Sequence, residues 1–169
     1  MITTQRLILK PLTYSQLLKY LKADHSLEEE LNINKTSRTI SPELREAMEE
    51  TILPNVKDTT KNYLFSTLWT IISKAENKMV GDICIVGEPD AAGEIEIGYG
   101  TYEEFQGKGY MTEAVGGIIG WAESMPTVKS VFAGTEKSNI ASYRILLKNN
   151  FTKVGETDTL FHWRLYLHS

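Results

Sequence analysis

The stretch from Glu94 to Ala122 constrains this chain more than any other. Glu94-Ile-Glu-Ile-Gly-Tyr-Gly-Thr-Tyr102 alternates cleanly, which predicts a strand with one acidic and one apolar face. Glu103–Thr112 then carries Gln106-Gly107-Lys108-Gly109-Tyr110-Met111 and opens a helix whose stripe is Ala114, Val115, Ile118, Ile119 and Ala122; Pro126 ends it. Glycines between a strand and a helix let several backbone N–H groups converge on one point, and the helix adds partial positive charge at its N-terminus. Together they form a cradle for a phosphate or pyrophosphate. The same glycines equally serve a plain tight turn. Two other phosphate loops fail on spacing: no G-x-x-x-x-G-K-[ST] run exists, and Gly107-Lys-Gly109 is followed by Tyr110, Met111 and Thr112 where a third glycine is needed. Gly98-Tyr-Gly100 has Glu103 at the third position of a kinase loop, in a chain too short for a kinase.

The rest of the chain reads as α+β. Arg6–Leu12 is an apolar run stopped by Pro11, a first strand. Thr13 is the expected N-cap of a helix with Leu17, Leu18 and Leu21 on one side. Residues 24–58 read as helical again, with Ser41 as a cap, Pro42 in the first turn and Pro54 closing the stretch. From Tyr63 the period shifts. Tyr63–Ser73, Met79–Val86 and Glu94–Tyr102 form an expected antiparallel meander, with a turn at Asn77-Lys78 and a turn-rich link over Gly87–Gly93. Val128–Thr135 reads as a strand, Asn139–Asn149 as a helix, and Phe151–Thr157 with Leu160–Leu167 as a closing hairpin. No linker or repeat divides the chain, so one domain over residues 1–169 is expected.

Composition narrows the partners. With 18 Lys plus Arg against 22 Asp plus Glu, the net charge of −4 argues against nucleic acid as the main partner. No apolar run approaches the roughly 20 residues that span a membrane. The start lacks a signal-peptide layout, so a cytoplasmic location is the default expectation. A single cysteine, Cys84, excludes an internal disulfide and any Cys-based metal cage, and no metal is expected. Between Ile83 and Ile85, that thiol reads as buried and inert. His25, His162 and His168 lack ligand spacing and receive no role.

Three motifs in order resemble the GNAT superfamily of N-acetyltransferases. Gln106-x-x-Gly109-x-Met111 is similar to its Q/R-x-x-G-x-G/A loop, Glu96-Ile-Gly-Tyr99 to its fourth strand, and Asn139–Phe151 to its N-x-x-S-x-x-x-L-x-K-x-G-F helix. The opening Thr4-Gln-Arg-Leu-Ile-Leu-Lys-Pro-Leu12 resembles the Rim-type branch, the ribosomal-protein N-terminal acetyltransferases and their relatives. The resemblance runs from residue 4 to about 167. It implies a mostly antiparallel mixed sheet, splayed at the fourth strand, with helices on both faces. Met111 departs from the family's Gly or Ala and is expected to place a side chain beside the cradle. Asn150 replaces a glycine as a left-handed C-cap.

The resemblance also implies the activity: an acetyl group passes from acetyl-CoA to a primary amine by direct attack in a ternary complex, without an acyl-enzyme. The alternative is a non-catalytic acyl-CoA-binding sensor or partner module. Residues Gln106, Gly107, Lys108, Gly109, Tyr110, Met111 and Thr112 would hold the pyrophosphate. Asn139 would meet the pantetheine or serve only as an N-cap, and Lys148, with Arg144 as a second candidate, would reach the adenosine phosphates. Ile97, Gly98 and Tyr99 would pair by backbone with the pantetheine, with a bulge expected at Gly98 and Gly100. An amine of pKa ~8 to ~10 needs a base at neutral pH. Glu96 ranks first and Glu94 second, unless both merely line a solvated sheet face. Many relatives carry a tyrosine where this chain has Leu146. Ser142 is therefore the expected partner of the leaving sulfur, with capping its alternative role and Tyr143 a fallback acid.

The acceptor is the least legible part. Residues 24–58 hold nine acids against Lys35, Arg38, Arg45 and Lys57. That segment either steers a cationic amine or is an ordinary solvated helix surface. A monomer or homodimer is expected. Charge is uneven along the chain: residues 61–105 are net −5, whereas residues 106–169, which hold the glycine loop, are net +2.

Overall fold

Alternating burial along Leu7–Pro11 seats Leu7 and Leu9 against one core and turns Ile8 toward another. In a computed structural model that describes residues 1–167, this alternation recurs through an eight-stranded sheet. The strands are β1 (Ile2–Thr3), β2 (Leu7–Pro11), β3 (Leu68–Ser73), β4 (Lys78–Ile85), β5 (Glu94–Thr101), β6 (Ser130–Glu136), β7 (Thr152–Glu156) and β8 (Leu160–Tyr166). They lie in the order β1-β2-β3-β4-β5-β6-β8-β7, antiparallel except for the β5–β6 pair. The expected meander is β3-β4-β5, and the expected fourth strand is β5 because Ile2–Thr3 adds a short edge strand ahead of the first.

Helices cover both faces. On one face α5 (Tyr110–Glu123) and α6 (Ile140–Lys148) pack Ala114, Val115, Ile118 and Leu146 onto Leu9, Trp69, Ile71, Ile95 and Ile97. The other carries α1 (Tyr14–Lys22), α2 (Ser26–Leu31), α3 (Pro42–Ala47) and α4 (Leu53–Lys57), which enclose Leu12, Leu68, Ile72 and Met79. Burying each such side chain is worth about 1.5–3 kcal/mol. Thr13 caps α1 in a reciprocal capping box with Gln16, as its position suggests. Asn150 adopts the expected left-handed conformation after α6, with φ 68°.

Several local expectations give way. Residues 32–41 carry no helix. Pro54 does not close the helical stretch. A π-helical turn over Met48–Ile52 brings the Leu53 N–H to Met48 O, and the wider turn lets Pro54 enter the first turn of α4 without a lost donor. Tyr63–Phe65 is a 3-10 turn set by Asn62, which accepts from the Leu64 N–H, so the strand starts only at Leu68. The bulge expected at Gly98 and Gly100 lies instead in β4, where the register against Ile71 and Ile72 skips Val80. There Gly81 runs so close to β5 that a Cβ would stand 2.5 Å from Gly100 O.

Candidate active site

Three parallel pairs, Glu94↔Ser130, Ile95↔Val131 and Glu96↔Phe132, are all that join β5 to β6. Beyond them β5 follows β4 as far as Gly81↔Thr101, and β6 follows β8 as far as Glu136↔Leu160. The two strands therefore part after Glu96 and leave a gap between their C-terminal halves. The ladder phase decides which groups face it. Glu96 O accepts from Val86 N–H, and Tyr102 N–H donates to Val80 O. Even-numbered residues of β5 thus spend their backbone on β4, and the odd ones, Ile97 and Tyr99, turn theirs to the gap. Gly98 faces β4.

At the far end of the gap lies a cavity of about 510 Å³. It gathers Tyr99, Gln106, Gly107, Lys108, Gly109, Tyr110, Met111, Thr112, Asn139 and Ser142, with Arg144 and Lys148 one turn apart on α6. Glu96, Ile97 and Gly98 stand outside it. A second hollow of about 580 Å³, at Glu88–Gly93 and Lys129, lies at the opposite end of β5 and holds none of the expected residues.

Gly107 and Gly109 have φ of 77° and 78°, a conformation that side chains resist. Gly109 is the N-cap of α5, and no side chain caps that helix, so its first-turn N–H groups stay open toward the cavity. Met111 adds nothing to the cradle: its side chain is buried in the core under α5, and only its backbone lies at the loop. Gln106 donates from Nε2 to Thr101 O at 3.3 Å, tying the loop back to β5.

Ser142 and Tyr99 meet across the cavity wall. Tyr99 Oη donates to Ser142 O at 2.9 Å and lies 3.2 Å from Ser142 Oγ, which donates in return. Burial holds the Tyr99 phenol above its ordinary value despite the serine hydrogen bond, which acts the other way. The Tyr99 side chain had no expected part. Its signal was its strand position, since it shares the face of Ile95 and Ile97 and so points at α6. Asn139 caps α6, accepting from Ser142 N–H at 3.1 Å. Tyr143 is half-buried, stacked on Trp163 and edge-on to Phe161 at the margin of the core, and Leu146 is fully buried.

The two candidate bases part company. Glu94 is bound by Arg164 (2.5 and 3.0 Å) and Ser130 (2.8 Å), and chiefly the Arg164 hydrogen bond holds its carboxyl below the usual range. Glu96 is exposed at the point where the strands part, on the sheet face of Cys84 and Gly98. Near it lie Phe132 and, 5.2 Å from that ring, His162, which sits opposite Gly134. Cys84 is half-buried, and burial pushes its thiol up to about 11, as an inert role requires. His168 lies outside the described residues.

Part of the acidic wall is spent internally. Glu28 is buried against His25, Thr36 and Arg38, and Glu30 binds Lys19 and Gln16. Glu29, Glu43, Glu46 and Glu50 remain exposed. No helix among the described residues is long and apolar enough to cross a membrane.

Comparison with known proteins agrees with this architecture. Residues 6–152 match the acetyltransferase (GNAT) domain family. The chain is 30% identical, over 96% of both chains, to an uncharacterized N-acetyltransferase, YjdG, of Bacillus subtilis strain 168. Among solved structures, it shares its fold with RimL, a ribosomal-protein acetyltransferase in complex with coenzyme A, at TM-score 0.68 and 16% identity over 97% of this chain and 96% of that one. A ribosomal-protein-alanine acetyltransferase from Vibrio fischeri gives TM-score 0.67 and 17% identity over 97% and 94%. With the family model spanning most of the chain and its glycine loop, parted strands and capped α6 in place, this protein belongs to the GNAT acetyltransferase family and is an acetyl-CoA-dependent N-acetyltransferase.

Proposed function

We propose that the enzyme moves the acetyl group of acetyl-CoA to a primary amine, a protein N-terminus or a small molecule, by direct attack in a ternary complex. The observation that carries this reading is the juxtaposition of a gap between parallel strands with an uncapped glycine-rich helix start at its end. Open N–H groups of Gly109–Thr112 receive the pyrophosphate, and Arg144 and Lys148 add positive charge beyond it. Ile97 and Tyr99 offer the gap a row of backbone donors and acceptors that pairs with the pantetheine amides like an added strand.

Attack on the thioester needs a neutral amine, and Glu96, free of any ion pair among the described residues, takes its proton directly or through one water. The amine arrives on the Glu96 face, beside Phe132 and His162. As the C–S bond breaks, Ser142 turns its hydroxyl to the sulfur. Tyr99 holds that serine in place and supplies a second hydroxyl beside it, where Leu146 supplies none. The exposed glutamates of residues 24–58 favour a cationic acceptor.

Thermal unfolding tests the donor assignment. Acetyl-CoA at about 100 times its Kd should add about 2.7 kcal/mol to stability, a rise of roughly 5–11 °C in Tm. An unchanged Tm at saturating acetyl-CoA would overturn it.

A further inference from the structure

Arg6 lies before the first long strand, about a hundred residues from the glycine loop in sequence, yet it is bound to it from behind. Its Nη1 donates to Lys108 O at 2.9 Å, and its Nη2 stands 3.3 Å from where a Cβ on Gly109 would be. The guanidinium lies over the Tyr110 ring, 4.8 Å from the centroid. Arg6 Nε donates to Glu113 Oε1 and the Arg6 backbone N–H to Oε2, each at 2.7 Å, and Thr4 Oγ1 donates to Oε2 at 2.5 Å. Thr4 and Arg6 therefore grip both oxygens of the acidic residue in the first turn of α5.

Two consequences follow from elementary geometry and charge. No cis peptide bond occurs among the described residues, and in a trans peptide the C=O and the following N–H point in opposite directions. A Lys108 carbonyl drawn back to Arg6 thus turns the Gly109 N–H away from Arg6. Glu113, at the positive end of α5, would otherwise set a bare carboxylate against an incoming anion. Burial acts to raise its pKa, but the hydrogen bonds from Thr4 and Arg6 outweigh that and keep it ionised. Arg6 supplies the matching charge.

We propose that Arg6 is a positioning residue of the donor site: it fixes the Lys108–Gly109 peptide so that the Gly109 N–H faces the phosphate, and it neutralises Glu113 beside it. This rests on the proposed placement of the pyrophosphate at the loop. Only the pyrophosphate end of the donor should sense Arg6, which separates positioning from general stability.

The test measures binding of coenzyme A and of pantetheine, which lacks the pyrophosphate, to the wild type, Arg6→Gln and Arg6→Lys. Arg6→Gln should weaken coenzyme A by roughly tenfold or more, the size of a lost charge-assisted hydrogen bond, and leave pantetheine within about twofold. Arg6→Lys, which keeps the charge without the fork, should fall between. Equal losses for both ligands, or no loss for either, would overturn the role of Arg6. The Gly109 amide resonance of the wild type tests the underlying placement separately: it should shift on adding coenzyme A. A Gly109 amide that stays still would overturn the placement, and the inference with it.

Discussion

Glu94 and Glu96 stand two residues apart on one strand face, yet their surroundings give them different work. Glu94 sits at the closed end of the β5–β6 pair, where Ser130 and Arg164 clamp three strands through its carboxylate. A base so committed would have to break a bidentate pair to accept a proton. Glu96, one alternation further on, meets no such partner among the described residues at the point where the strands part. Glu96→Gln should therefore lower kcat by about a hundredfold at neutral pH, within the usual range for a lost general base. Activity should recover partly as the pH approaches the pKa of the amine, because more substrate is then already neutral. A pH–rate profile identical to the wild type would remove Glu96 from that role. Sequence spacing could place both carboxylates on one face, but not the arginine from β8 that separates them, since that contact spans seventy residues.

Between elements, α1 and β4 are joined by a buried acid that has no part in the proposed chemistry. Asp82 accepts from Tyr20 Oη at 2.5 Å and Tyr102 Oη at 3.0 Å. Burial, outweighing those hydrogen bonds, pushes its carboxyl up to about 6. The folded chain then keeps a proton on Asp82 that the unfolded chain releases near pH 3.9. Stability from this group is present below about pH 4 and is lost as the pH rises through about 6. Across that window the wild type should lose about 3 kcal/mol relative to Asp82→Asn, measured by denaturant unfolding at several pH values. Parallel stability curves for the two proteins would contradict this.

The elements themselves were largely readable, because their periods and caps are local: Thr13, Ser41 and Asn150 all stand at helix ends as their chemistry requires. What sequence could not disclose depended on widened or skipped backbone geometry. A π turn carries the helix past Pro54, and an extra residue in β4 takes up the bulge that the β5 glycines suggested. The glycine loop was legible as a motif. Its tether to Arg6 was not, since nothing in the spacing of two distant segments says that they touch.

At the scale of the whole molecule, charge and topology divide the sheet into two regions. The cavity gathers Lys108, Arg144 and Lys148, all from the net-basic final third of the chain, around the open end of α5. The acids of β5 lie at the other end of the strand, where it still pairs with β6. On the proposed reading, an anionic donor is drawn to the basic end of the gap and a cationic acceptor to Glu96 at the other, since Arg164 already neutralises Glu94. The measurement that tests this account most directly is initial-rate release of coenzyme A from acetyl-CoA, across a panel of short peptides, polyamines and aminoglycosides. The account predicts amine-dependent release, with lines that intersect when both substrates are varied. Tight acetyl-CoA binding with no thiol released by any amine would contradict it and point instead to a protein that only senses the thioester.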